Sequence, residues 1–112
     1  MNEQDSILLT IKKMIGIAED YTQFDADIII HINTAFSRLA QISSGFKKGF
    51  RITDANKLWR EYTVDESLLD SIISYVYLKT KIVFDPPTSH MVMESMKQDI
   101  KELEFSLQVD TE

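Results

Sequence analysis

From Leu68 to Phe84 the apolar residues fall on nearly every side of a helix. Leu69, Ile72, Ile73, Val76 and Val83 form one face, Leu68, Tyr75, Leu78 and Ile82 another, with Tyr77 and Phe84 between them. A helix this apolar has to be enclosed, either by its own domain or by a second subunit. A chain of 112 residues makes one domain, and in so small a bundle a central helix touching several neighbours is the expected solution. Its end is set by Asp85-Pro86-Pro87. Neither proline has an amide for a continuing ladder, and Asp85 is pushed out of helical angles by the ring that follows it.

The remaining punctuation is sparse, three glycines and two prolines in all, and the hydrophobic spacing is helical. Ile7, Leu8, Ile11, Met14 and Ile15 predict a first helix over 5–17, opened by Asp5 or Ser6 and fraying at Gly16. A polar connector containing Tyr21 and Phe24 follows. Asp25 is expected to cap a second helix reaching Ile42, with Ile28 or Ile29, Ile32, Ala35, Phe36 and Leu39 buried. Thr53 or Asp54 should start a short helix over 55–62. Ser89 or Thr88 should open a last helix in which Met93, Met96, Ile100, Leu103 and Leu107 repeat at alternating spacings of three and four, a coiled-coil-like seam. The fold class expected is therefore all-α: a small bundle of four main helices plus a short one, with an irregular or hairpin-like loop around 43–54 and flexible termini.

Eighteen acidic residues against twelve basic leave a net charge of −6. Such a field repels phosphate backbones, so sequence-specific nucleic-acid binding is not expected. The absence of cysteine removes disulfides, thiolate nucleophiles and Cys-ligated metals. The polar, acidic start lacks the pattern of a signal peptide, and no apolar run is long enough to span a bilayer, which predicts a soluble intracellular protein with no membrane partner.

No catalytic set emerges, and no enzyme activity or cofactor is expected. His31 and His90 stand in different helices without a two-ligand spacing, and the Asp27/His31 pair alone is a chance-level feature. Glu94, Asp99, Glu102 and Glu104 with Lys97 and Lys101 read as a solvated helix face. Ser43 to Gly49 mixes glycine and lysine but lacks the Gly-Lys-Ser/Thr of a phosphate-binding loop. The remaining signal is electrostatic. Lys47, Lys48, Arg51, Lys57 and Arg60 oppose only Asp54, beside Phe46, Phe50 and Trp59, whereas 94–112 holds six acids against two lysines. A basic middle and an acidic end suit a protein partner, and in particular a head-to-tail contact with a second copy. The expected interface residues are Lys47, Lys48, Phe50, Arg51, Trp59, Arg60, Tyr75, Glu102 and Glu104.

The opening helix 5–9, the helix start Phe24-Asp25-Ala26-Asp27-Ile28, the segment Ile32-Asn33-Thr34-Ala35-Phe36 and above all Tyr75-Val76-Tyr77-Leu78-Lys79-Thr80-Lys81 with Phe84-Asp85-Pro86-Pro87 after it resemble the small head-tail connector (adaptor, or head-completion) proteins of long-tailed bacteriophages and prophages. The resemblance implies a helical virion protein without catalysis that forms an oligomeric ring on the portal and joins it to the tail or stopper. It implies location in the virion at the head-tail interface, and in the bacterial host cytoplasm during assembly. The competing expectation is a small helical regulatory or interaction module acting as a dimer.

Overall fold

The computed structural model describes residues 3–63 and 65–111. They form a flat body of 37 × 35 × 22 Å built from α1 (Ile7–Met14), α2 (Asp25–Ile42), the 3-10 turn Trp59–Glu61, α3 (Glu66–Phe84) and α4 (His90–Thr111). No strand is present among the described residues; the nearest approach is an isolated antiparallel bridge between Ser6 and Leu58.

Helix α3 is central, packing on α2, α4 and α1. Leu69, Ile72, Ile73, Tyr75, Val76 and Thr80 are buried, and Leu68, Tyr77 and Phe84 pack against the same core from its edge. Its all-round apolarity is thus satisfied largely within the chain. Val83 departs from the face assigned to it: it is 59 % exposed. It lies in the last turn of α3, and Met91 and Val92 in the first turn of α4 are exposed as well. Asp65 caps α3, its carboxylate accepting the Ser67 amide at 3.0 Å, and the helix stops at Asp85.

The stripe expected on α2, Ile28, Ile32, Ala35, Phe36 and Leu39, is completely or almost completely buried. Its start differs from expectation. Asp25 does not cap; Phe24 occupies that position without a side-chain bond, and the Asp25 carboxylate pairs with Lys12 instead. Helix α1 is shorter than its periodicity suggests. Ser6 caps it, accepting the Leu9 amide at 3.2 Å, and Gly16 at φ +87° closes it in a conformation costly for other residues.

The short helix expected over 55–62 contracts to Trp59–Glu61 for a physical reason. The backbone of this segment is already committed to the chain start: Ile7 donates to Lys57, Trp59 to Asp5 and Arg60 to Glu3, at 2.7–3.1 Å. Asp54 makes a local turn through the Asn56 amide at 2.8 Å rather than opening a helix. These bonds also tie down the start of the described chain, and Thr111 ties down its end through the Ser43 hydroxyl at 2.6 Å.

Gly45 is where that end docks. A β-carbon there would fall 2.6 Å from the Thr111 carbonyl oxygen and 2.7 Å from the Thr111 β-carbon. Gly45→Ala is therefore expected to lift the last turn of α4, at a cost of about 1–2 kcal/mol, read as a lower melting temperature and faster amide exchange over 107–111.

Candidate interaction surface

The basic segment is irregular, yet it is fixed to α2 by two devices. The Asn33 side chain imitates a backbone partner: its amide donates to the Ile52 carbonyl at 2.9 Å and its oxygen accepts the Ile52 amide at 2.8 Å. Around this clamp, Phe36 meets Phe50, Trp59 and Tyr62 at ring-centroid distances of 5.0, 6.2 and 4.6 Å, and Phe46 stacks on Tyr62 at 6.2 Å. Offset and edge-to-face aromatic pairs add directional packing to ordinary burial. The loop thus has an aromatic floor on α2 and a charged outer side.

The expected interface residues divide accordingly. Lys47, Lys48, Arg51 and Arg60 are exposed, and Phe50 is half-buried at the surface of the aromatic floor. The Lys47 ammonium donates to the Glu61 carbonyl at 2.5 Å, while Lys48, Arg51 and Arg60 extend from the surface with no side-chain ion pair among the described residues. Trp59 and Tyr75 are placed differently from expectation. Both are fully buried, so they support the surface and do not form it. Trp59 Nε1 donates to Thr10 Oγ1 at 3.1 Å. The bulk of an aromatic residue beside basic ones is compatible with either role in the sequence; the backbone pairing of 57–60 with the chain start turns this ring inward.

Glu102 and Glu104 also separate. Glu102 is exposed and accepts a bond from Gln98 on its own helix, at 3.3 Å. Glu104 joins α4 to the bundle: its carboxylate accepts the Tyr75 hydroxyl at 2.7 Å and faces the Arg38 guanidinium at 3.5 Å. Burial, then the hydrogen bond to Glu104 and its negative charge, push the Tyr75 phenol far above the ordinary tyrosine value. Burial alone does the same to Tyr62.

The Tyr62 hydroxyl is buried with no protein partner among the described residues. An unmade bond there is costly, so Tyr62→Phe is expected to leave stability unchanged or raise it by about 1 kcal/mol. Both phenols stay neutral in the folded chain while they ionise near pH 10 when unfolded. Their contribution is thus complete below about pH 10 and lost as the pH rises beyond it. Tyr62→Phe should flatten that alkaline decline in denaturant titrations.

Two surface features lay outside the sequence expectations. The first is a groove of about 430 Å³ between α2 and the loop, lined by Ile30, Asn33, Thr34, Ser37, Ala40, Gly49, Phe50 and Arg51. The second is the outer side of α4, where Phe105 and Val109 are 69 % and 56 % exposed. Their signal was present: an i, i+4 apolar pair off the Met93–Leu107 seam. The last three residues of the seam face the bundle, Leu107 buried and Ile100 and Leu103 packed on the core. Among the described residues, no group of histidine, cysteine and acidic residues is placed to hold a metal, and no helix is long and apolar enough to cross a membrane.

A family model described as Phage connector protein matches residues 7–112. Neither the curated proteins nor the solved structures contain a match.

Proposed function

Because the chain belongs to the phage connector protein family, and so has a structural connector role in the virion, we propose that it forms a ring on the portal vertex and joins the portal to the tail or stopper. The family match over nearly the whole chain carries this reading. The surface supports it: exposed cations on a loop anchored by Asn33 and an aromatic floor give a rigid binding edge, and α4 supplies exposed acids on the same chain. Assembly takes place in the host cytoplasm before the ring is held in the virion.

The test mixes the purified chain with the portal protein encoded by the same genome, followed by co-sedimentation and negative-stain microscopy. A stoichiometric ring on the portal is the expected result. Reversing Lys47, Lys48 and Arg51 to glutamate should weaken that assembly about tenfold or more, since several exposed charge pairs of under about 1 kcal/mol each are inverted together. A fixed two-copy mass at every concentration, with no portal binding, would replace the adaptor with a symmetric dimer module.

A further inference from the structure

We propose that neighbouring copies meet through two different surfaces, the outer side of α4 on one copy seating Phe105 and Val109 in the α2–loop groove of the next. This assignment rests on the ring reading above and names the contact that builds the ring. Phe105 and Val109 lie one turn apart, across the helix from buried Leu107, so folding the single chain leaves both in water. Single exposed apolar residues are ordinary, but an aromatic and a branched aliphatic side chain in register form the anchor with which a helix enters a groove.

The groove offers the matching chemistry. Ile30, 59 % exposed, and half-buried Phe50 supply apolar walls, and Arg51 lies at the edge. The groove is an open depression of about 430 Å³, with room for apolar side chains laid against its walls. On the incoming helix, Glu102 precedes Phe105 by one turn and is exposed, placing a carboxylate where it can meet Arg51 or Lys48.

The occupant is a second copy because one chain carries both halves. The cations of 47–60 and the acids of α4 offset each other copy by copy, whereas a foreign partner on either surface would leave the other uncovered. Two unlike surfaces propagate head to tail and give a closed ring when the rotation between copies closes. The contact is small. A ring of this kind buries at most about 250 Å² per aromatic side chain, and two or three apolar anchors fall short of the roughly 1,200 Å² of a stable pair. Copies should therefore associate weakly alone and assemble on the portal, where the template raises their effective concentration.

The absence of native cysteine makes the test direct. Full-length Ile30→Cys and Phe105→Cys chains are prepared separately, shown to melt like the wild type, mixed with the portal and oxidised. The expected result is a disulfide-linked dimer in the mixture and none from either variant alone. In addition, Phe105→Asp, a substitution at an exposed site, should lose the ring at concentrations where the wild type saturates the portal. A ring that forms on the portal without the mixed crosslink overturns this contact while leaving the adaptor role intact. Crosslinking within one variant alone would show a symmetric contact and overturn it as well. Failure of the wild type to bind the portal removes the adaptor role and this interface together.

Discussion

Trp59→Ala is expected to take the chain to the edge of unfolding. The ring is fully buried between α1 and α2, 6.2 Å from Phe36 by centroid, with its Nε1 bonded to Thr10 Oγ1. Truncating a buried tryptophan costs about 3–5 kcal/mol through lost transfer energy and the cavity left behind. A small domain holds about 5–15 kcal/mol in total, so the loss should appear as a fall of about 15 °C or more in melting temperature. Trp59→Phe keeps most of the apolar volume and gives up the Thr10 bond, so its cost should be clearly smaller. The same pair of variants separates core from interface. An interface tryptophan would leave the melt of the isolated chain unchanged and show its loss only in portal binding. The structure predicts the reverse: Trp59→Phe folds and still assembles.

What the sequence conveyed followed from how local each determinant is. The limits of α3 were legible because Asp65 and Asp85-Pro86-Pro87 act within a turn of themselves, and the buried stripe of α2 because its spacing repeats over a long helix. The path of 43–63 was not legible. It depends on Asn33 clamping Ile52 from a distant helix, and on the chain start pairing with Lys57, Trp59 and Arg60. Neither leaves a periodic trace. The candidate surface divides in the same way. Charge is additive along a sequence, so the exposed cations Lys48, Arg51 and Arg60 were found from composition alone. Burial is a property of the packed chain, and it moved Trp59, Tyr75 and Glu104 into supporting positions. Phe105 and Val109 became informative once the rest of α4 had been assigned a partner, because only then is their side of the helix left without one.

Lys12→Met should reveal a determinant that charge patterning conceals. Lys12 and Lys13 are adjacent cations in the last turn of α1, where positive charge suits the helix dipole. Lys13 is exposed, whereas the Lys12 side chain is completely buried. Its ammonium donates to the Glu19 carbonyl at 3.0 Å and to the Tyr21 carbonyl at 2.8 Å, and it forms an ion pair with Asp25 Oδ1 at 2.9 Å that lacks hydrogen-bond alignment. One side chain thereby joins the end of α1, the connector and the first turn of α2. Methionine fills much of the volume but satisfies none of these groups. Breaking a buried pair from one side costs about 3–5 kcal/mol. Asp25 keeps partial access to water at 26 % exposure, which puts the expected loss near the lower end, about 3 kcal/mol. Lys13→Met, at an exposed site, should stay within about 0.5 kcal/mol. Amide exchange should locate the difference, with Lys12→Met accelerating residues 17–24 before α3 is affected. An unchanged denaturation midpoint in Lys12→Met would mean that backbone packing alone positions the connector. The predicted fall would instead make Lys12 the residue that sets where α2 begins, and hence where Ile30 and the groove beside it are presented to the next copy.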